Sequence, residues 1–326
     1  MKSTFIAQLS PGETVDDLFA VRKVDLKEYS GGKMITLELV DRSGRMNGVI
    51  WDGTSETMTG LRSGGVYRIR GAVTTYKGEN QITVQSTERV GEYDPADFVP
   101  RGSFTHEELD KRLTAAIGRI EDADYRSLLD AVFSESNFRL GFLQGVGGKL
   151  WHHNYIGGLA EHSLAIFDLC LDLTSRYKEL DRDLLLAGAL LHDIGKVNSY
   201  SLEAAIEYTD SGRLLGHIVI GDRIVSEAIR GILNFPEEKS LKIRHLILSH
   251  QGSPEQSSPV PPMTPEGMAL YIADLLDSKL AALRRIKEKE YRPGVTWSNF
   301  VKLLDRFIYF GHTTDHPVGN HGDNDE

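Results

Sequence analysis

The sequence predicts a two-domain protein, in which a small β-barrel is followed by an all-α domain. Between Val15 and Val90, short runs of alternating apolar residues are separated by turn residues, which is the pattern of β-strands. From Thr105 onward the apolar residues follow helical spacing instead. The chain has 326 residues, which is enough to bury two separate hydrophobic cores. Together these observations place the chain in the multidomain α and β class.

Five strands account for the first part of the chain, which we expect to form one domain over residues 1–92. The predicted turns lie at 30–33, 41–44, 63–65 and 77–80, and each contains residues that tolerate a positive φ. A closed barrel removes the exposed strand edges. The order of the segments LVDRSG, IWD, GGVY and GAV, followed by Tyr76 and then Gln81-Ile82, resembles the OB-fold of the anticodon-binding type. That resemblance implies a domain that binds nucleic acid.

A polar segment at residues 93–104 separates the strands from the helices. It contains two prolines and is predicted to be a linker. The helical domain is predicted over 105–312. The end of the chain, 313–326, has no apolar periodicity and is predicted to be a disordered tail, with a metal site at His316 and His321 as the alternative.

Capping residues and apolar spacing indicate where the helices begin and end. Thr105 and Glu108 form a capping box, and Asp181 is predicted to start a helix that ends at Gly195. Further helices are predicted at 158–177, 214–233, 238–250, 265–290 and 296–310.

Composition excludes several classes of protein. No apolar run approaches the roughly 18 residues that span a bilayer, and the first residues show no signal-peptide core, so we expect a cytoplasmic protein without a membrane partner. Cys170 is the single cysteine, which excludes a disulfide framework. Its apolar neighbours predict a buried, unreactive thiol.

The net charge of −10 argues at first against a nucleic-acid partner, because phosphate binding depends on positive charge. The charge is unevenly distributed, however. Residues 1–90 contain twelve Lys and Arg against eleven Asp and Glu, whereas the remainder has 25 against 36. The acidic residues therefore concentrate in the helical part, where metal ligands are expected.

Ligand-type side chains recur in the helical part in otherwise apolar segments. The predicted metal ligands are His162, His192, Asp193, His217, His250 and Asp274. Imidazole and carboxylate together suit Mn, Fe, Co or Zn better than Ca or Mg alone. Six ligands exceed the needs of one tetrahedral ion, which favours two divalent ions bridged by Asp193. For each residue alone, a buried histidine or a surface aspartate would be the better interpretation. His245 competes with His250 as a ligand, and Asp277 either reaches the metal site or forms a salt bridge.

The pattern of His162, His192-Asp193 and Asp274 resembles the HD-domain phosphohydrolases, and His217 and His250 match the additional histidines of binuclear members. The segments WHHNYIGGLAEHS, LLLAGALLHDIGKV, GRLLGHIVIG, LILSHQG and SSPVPPMTPEGMALYIADLLDSK, after an OB-fold, resemble the YhaM family of 3′–5′ exoribonucleases up to about residue 310. This resemblance implies removal of nucleotides from the 3′ ends of RNA, with single-stranded DNA as a further substrate. It also implies two divalent ions, Mn by preference, with Co, Fe, Zn or Mg as alternatives. The chain departs from the family at Gln251, where a second histidine is expected, and at Tyr271.

Further residues are candidates for contact with the substrate. Asp193 is the predicted catalytic carboxylate. Lys196 either stabilises the phosphate in the transition state or is a plain helix-end cation. His152 and His153 either pack locally or contact the phosphate, and we favour His153. On the barrel, Trp51, Tyr67 and Tyr76 are either core residues or platforms on which bases stack. The predicted contacts to single-stranded nucleic acid are Trp51, Tyr76, Lys33, Arg45, Arg68, Arg70 and Lys77.

Two other functions stay open from the sequence. The chain could hydrolyse small or cyclic nucleotides, with the barrel as an interaction module. It could also bind single-stranded nucleic acid without catalysis, around a structural metal. A structural site closes its coordination with four ligands, whereas the predicted set leaves room for water, which favours an enzyme. A homo-oligomer is compatible with either function.

Overall fold

The computed structural model describes residues 2–29, 31–51, 60–149, 153–202, 205–302 and 304–311. It contains the predicted closed five-stranded barrel followed by a helical domain. The strands of the barrel are β1 Thr14–Tyr29, β2 Gly32–Asp41, β3 Gly44–Trp51, β4 Val66–Tyr76 and β5 Glu79–Val90. The helices are α1 His106–Gly118, α2 Ala123–Phe133, α3 Ser136–Gln144, α4 Gly158–Arg176, α5 Arg182–Leu191, α6 Lys196–Ser199, α7 Asp210–Arg230, α8 Glu237–Ser249 and α9 Pro265–Glu290. A two-stranded hairpin, β6 Tyr200–Leu202 and β7 Ile206–Tyr208, separates α6 from α7.

The barrel has the strand order β1-β2-β3-β5-β4 and closes where β4 pairs with β1. All its pairings are antiparallel except that of β3 with β5, where Asn47 lies opposite Gln81. Alternate residues of the strands point inward and form the barrel core, which includes Phe19, Ile35, Leu37, Leu39, Ile69 and Ile82. Tyr67 belongs to this core, whereas Trp51 and Tyr76 lie on the outside.

Helix α5 lies at the centre of the helical domain. Every residue from Leu184 to Leu191 is buried, because this part of the helix is apolar on all sides and is packed by α4, α8 and α9. The turn that follows α5 therefore emerges inside the domain. Polar side chains on this turn are held in a buried environment.

The predicted end of this helix at Gly195 was wrong, since α5 ends at Leu191 and residues 192–195 form a turn before α6. Gly195 has a φ of −67°, so it is not a left-handed helix cap. Glycine is required here for space, because a Cβ at this position would lie 2.0 Å from the carbonyl oxygen of His217. The missing side chain lets α7 approach the turn.

The helix predicted at 296–310 was also wrong. Trp297 pairs with Tyr309 and Val301 with Arg306 as isolated bridges between two antiparallel segments. Apolar residues three and four apart mimic a helix in this sequence, but the aromatic rings of Trp297 and Tyr309 lie 4.8 Å apart across the two segments. Such cross-strand aromatic pairs favour the extended form. The β6–β7 hairpin was not predicted at all.

The linker is packed between the two domains. Phe98 is buried against Ala20 and Val66 of the barrel. On the other side, Ile156 donates a hydrogen bond to the carbonyl of Pro100 at 2.8 Å. His152 and the predicted tail, with His316 and His321, lie outside the described residues. The predicted limits of the domains stay predictions.

Within the described part of the chain, no helix is long and apolar enough to cross a membrane. Cys170 is buried, and burial raises the pKa of its thiol to about 12, which confirms the expectation of a buried cysteine.

Candidate active site

The structure brings the six predicted metal ligands together in the interior of the helical domain. His162 lies on α4, His217 on α7 and Asp274 on α9, and His250 follows the last residue of α8. His192 and Asp193 occupy the turn after α5. Gly216 positions its neighbour His217, because its left-handed φ of 76° breaks α7 at that point.

The carboxylate of Asp193 lies between two groups of histidines. Its Oδ2 is 3.3 Å from Nε2 of His192 and 3.5 Å from Nε2 of His162. Its Oδ1 is 3.4 Å from Nε2 of His217 and 3.6 Å from Nε2 of His250. Asp274 joins the first group, with its Oδ1 3.2 Å from Nε2 of His162. One carboxylate is thus shared by two sets of ligand-type atoms.

Hydrogen bonds at Nδ1 orient three of these rings. His192 donates to the carbonyl of Ala189 at 2.9 Å, and His250 donates to that of Ile247 at 2.7 Å. His162 donates to Oδ2 of Asp277 at 2.7 Å. Because each acceptor is a carbonyl or carboxylate oxygen, the proton belongs on Nδ1. When such a ring is neutral, the lone pair of its Nε2 faces Asp193, as metal coordination requires.

The protonation states suit metal binding. Although burial opposes ionisation, Lys196 and His192 hold the pKa of the Asp193 carboxyl well below its ordinary range. Burial likewise opposes ionisation of Asp274, but its hydrogen bond with His162 lowers the pKa of that carboxyl. Burial lowers the pKa of His192 and lowers that of His217 to about 3. Both carboxylates are therefore ionised and both of these imidazoles neutral at neutral pH.

His162 is the exception. Burial would lower its pKa, but hydrogen bonds to three surrounding carboxylates raise the pKa well above its ordinary value. The carboxylates are those of Asp193, Asp274 and Asp277. A proton on Nε2 occupies the position from which a metal ion would be bound, so the ion has to displace it.

Two buried polar atoms of the site support the fit to a metal. Oδ1 of Asp193 and Nε2 of His217 have no hydrogen-bond partner among the residues that the structure describes. Leaving such an atom unsatisfied costs about 1–3 kcal/mol, and a divalent cation would supply the missing partner. Atoms bound at about 2.1 Å to one ion lie about 3.0–3.5 Å apart, which is close to the distances around Asp193. The donor set therefore fits divalent metal ions.

A hydrogen-bonded chain stands behind His162. Oδ2 of Asp277 contacts Nδ1 of His162 and also Nε2 of His153, at 2.7 and 2.8 Å. The hydroxyl of Tyr155 lies 2.8 Å from Nδ1 of His153. Asp277 therefore fixes the ring of a predicted ligand, His162. In the sequence, Asp277 is visible only as a second aspartate one turn after Asp274. The sequence gives no signal for Tyr155.

The remaining candidates occupy distinct positions. Lys196 is buried and its ammonium group donates to Oδ2 of Asp193 at 2.6 Å, so it neutralises the central carboxylate in this structure. His245 points away and accepts a hydrogen bond from the backbone of Met263 at 2.9 Å. The amide of Gln251 lies 3.3 Å from Nε2 of His250. Both ring nitrogens of His153 are engaged, so its predicted phosphate contact would require it to release a partner.

The barrel carries a cleft of about 900 Å³ on the face formed by β1, β2 and β3, next to the β4–β5 turn. Three of the predicted nucleic-acid contacts line it, namely Trp51, Tyr76 and Arg45. Trp51 and Tyr76 are 44% and 58% exposed, and Trp51 packs edge-on against Tyr29. Polar residues that the sequence did not single out line the same cleft: Lys23, Lys27, Asn47, Asn80 and Gln81.

The other four predicted contacts do not line this cleft. Lys77 lies beside the ring of Tyr76, and Lys33 lies near Glu28. Arg68 and Arg70 are on β4, where both pair with Asp16 of β1. The structure thus divides the predicted set into a cleft group and residues elsewhere on the barrel.

Comparison with known proteins agrees with both halves of the molecule. Residues 159–279 match the HD domain, and residues 20–90 match the OB-fold nucleic acid binding domain. The relative from Bacillus velezensis named 3′-5′ exoribonuclease YhaM is 32% identical over 91% of this chain and 95% of its own. This chain belongs to the YhaM family.

Further YhaM proteins show the same extent of similarity. The relative from Oceanobacillus iheyensis is 31% identical over 93% of this chain and 96% of its own, and that from Geobacillus sp. (strain WCH70) is 30% identical over 93% and 94%. The predicted family, fold class and enzymatic nature are confirmed. All six predicted ligands lie within the part that matches the HD domain.

Proposed function

We propose that this YhaM-family enzyme is a 3′–5′ exoribonuclease that hydrolyses single-stranded RNA at a centre of two divalent ions around Asp193. The observation that carries the proposal is the shared carboxylate, whose two oxygens each face a separate set of histidines. The activity named for the relatives supplies the substrate class and the polarity. We further propose Mn as the preferred metal, single-stranded DNA as a second substrate, and the cytoplasm as the location.

The residues that would hold the ions form two groups. His162, His192 and Asp274 lie with Oδ2 of Asp193, and His217 and His250 lie with Oδ1. Two bound divalent ions supply an activated water at neutral pH and a positive field for the phosphate. This field reconciles the acidic helical domain with an anionic substrate.

The protein's own residues then position the reaction. Asp277 fixes the ring of His162, and backbone carbonyls fix His192 and His250, so the site is organised before the substrate arrives. Lys196 places a buried cation beside Asp193, which favours the approach of a phosphate. The barrel cleft offers exposed rings and cations, which hold unpaired nucleotides without selecting a sequence.

The experiment follows a 5′-labelled single-stranded RNA and a circular RNA of the same sequence, each with Mn, Mg, Co and Zn supplied separately. We expect the linear RNA to shorten stepwise from its 3′ end, with release of nucleoside 5′-monophosphates. A blocked 3′ end and the circle should resist. Cleavage of the circle at a comparable rate would make the enzyme an endonuclease. Hydrolysis of cyclic or small nucleotides without attack on RNA would favour the alternative function.

A further inference from the structure

The β6–β7 hairpin carries a cluster of aromatic and charged side chains beside the metal centre. Tyr200 lies directly opposite Tyr208 in the hairpin, and their ring centroids are 4.9 Å apart. The ammonium group of Lys149 and the guanidinium group of Arg213 each lie 5.8 Å from the centre of the Tyr208 ring. Tyr208 is 41% exposed. An exposed ring with two cations beside it is suited to a base and its neighbouring phosphates.

The hairpin connects two helices that carry residues of the metal centre. It begins directly after α6, which contains Lys196, and ends directly before α7, which contains His217. Its base is closed by the backbone of Thr209, which donates to the carbonyl of Ser199 at 3.0 Å. Burial, the hydroxyl of Tyr208 and the nearby carboxylate of Asp193 raise the pKa of Tyr200. Tyr200 also follows Lys196 by four residues, and the ammonium group of Lys196 donates to Oδ2 of Asp193 at 2.6 Å, so the hairpin adjoins the turn that carries Asp193.

The other side of the hairpin faces the barrel. A cavity of about 260 Å³ lies between the two domains, and its lining includes Ser201 and Glu207 of the hairpin and Arg62 and Arg89 of the barrel. The hairpin therefore lies between the α5–α6 turn, which carries His192 and Asp193, and the barrel. The position thus suits the nucleotides that precede the scissile bond.

The charges of the cluster favour an anion. Lys149 forms an ion pair with Glu207, and Arg213 lies 4.0 Å from the same carboxylate. Two cations share one carboxylate, so these three side chains carry a net positive charge. The remainder of the helical half is acidic. A local positive charge beside the metal centre would attract the RNA backbone.

We propose that Tyr208, supported by Tyr200, stacks on a base next to the scissile phosphate, and that Lys149 and Arg213 bind the adjoining backbone phosphates. This subsite rests on the proposed exoribonuclease function and deepens it. Glu207 holds the two cations in place and competes with the phosphates for them. The simpler interpretation is a hairpin stabilised by its tyrosine pair and one ion pair, without contact to RNA.

The first test compares Tyr208→Ala with Tyr208→Phe in the full chain loaded with Mn. We expect Tyr208→Ala to raise KM about tenfold for a short single-stranded RNA, because stacking on a ring is lost. Hydrolysis of bis(p-nitrophenyl) phosphate should fall much less, and Tyr208→Phe should stay near the parent protein. Tyr177→Ala is the matched control, since Tyr177 is an exposed tyrosine at the far end of α4. Equal effects of Tyr208→Ala and Tyr177→Ala on RNA would overturn the proposal.

The second test uses the sign of a charge effect. Glu207→Gln should tighten RNA binding several-fold, because it releases Lys149 and Arg213 for phosphates, whereas a purely structural ion pair predicts weaker or unchanged binding. Arg213→Gln should reduce the slope of log Kd against log salt by about one.

Binding is measured in an Asp193→Asn background, which separates this inference from the proposed function. Failure of the parent protein to degrade RNA would reject the function. Unchanged RNA affinity on adding Tyr208→Ala would reject the subsite alone.

Discussion

The metal centre and the barrel cleft are built in opposite ways. The predicted metal ligands are almost all buried, three of the histidine rings have fixed orientations, and a single carboxylate joins two sets of atoms. In the cleft, Trp51 and Tyr76 are exposed, and the cations Lys23 and Arg45 have acidic partners, Asp25 and Glu38. The centre is organised in advance for one chemical step, whereas the cleft is adaptable and nearly neutral.

This difference indicates a division of labour. A buried centre has to place its groups within a fraction of an ångström, because transition-state stabilisation depends on geometry. A cleft through which single-stranded RNA moves has to accept any base. Exposed aromatic rings and solvated cations allow this. Substitutions in the centre should therefore affect turnover strongly, and substitutions in the cleft should affect affinity moderately.

Asp193→Ala would separate the two regions most completely. We expect turnover of RNA to fall by at least about a thousandfold, because several kcal/mol of metal-dependent stabilisation are lost. RNA binding should be largely retained, since the barrel lies in another domain. Metal analysis, turnover and binding of labelled RNA measure the three effects on one preparation. A variant that keeps its metal and near-normal turnover would place the chemistry elsewhere.

Asp277→Asn tests whether Asp277 supports the ring of His162 in the centre. The amide is a weaker acceptor than the carboxylate for the Nδ1 proton of His162, so the orientation and basicity of that ring should suffer. We expect a loss of about 10- to 100-fold in metal affinity or activity. Asp172→Asn, at an exposed position of α4, is the matched control and should have no effect. Equal behaviour of the two variants would show that Asp277 does not support His162.

The sequence could predict which residues meet at the centre because of their chemistry. Histidine and aspartate are unusual inside apolar helices, so His162, His192, Asp193 and Asp274 are visible without a structure. The role of Asp277 was not visible, because it depends on the distance between α4 and α9. The sequence also could not show why residue 195 is a glycine. The reason is the close approach of α7, which leaves no space for a side chain there.

The barrel was predictable as a fold but less so as a surface. Strand alternation and turn residues predicted five strands, which the structure contains. Which aromatic residue faces outward depends on barrel closure, and Tyr67 was as plausible as Trp51 until the strands were paired. Arg68 and Arg70 were predicted to contact nucleic acid, but the register of β1 with β4 places them beside Asp16 and not in the cleft.

The pH dependence of metal binding tests the state of His162. Its raised pKa means that the metal-free protein keeps this proton through neutral pH, so binding an ion releases it. Below that pKa, metal affinity should therefore rise about tenfold per pH unit and then level off above it. The pKa values of His192, His217 and Asp274 are lowered, so these groups are already deprotonated near neutral pH and release no further proton when metal binds. Mn titrations at several pH values give the slope, and a flat profile would contradict this assignment.

Trp51→Ala combined with Tyr76→Ala should give the smallest effect of the series. We expect about tenfold weaker RNA binding, because exposed stacking surfaces are removed from the cleft. Turnover at saturating RNA should change little by comparison, since the metal centre is untouched. Trp297→Ala removes an exposed tryptophan from the C-terminal segment and is the control. If turnover fell as much as affinity, the division of labour between the two regions would be wrong.

Anomalous scattering from crystals soaked in Mn tests the central claim most directly. Two ions about 3.5–4 Å apart are predicted, on either side of the Asp193 carboxylate. One should contact His162, His192 and Asp274, and the other His217 and His250, with an Asp193 oxygen bound to each. A single ion at full occupancy, or two ions that do not share Asp193, would contradict the account.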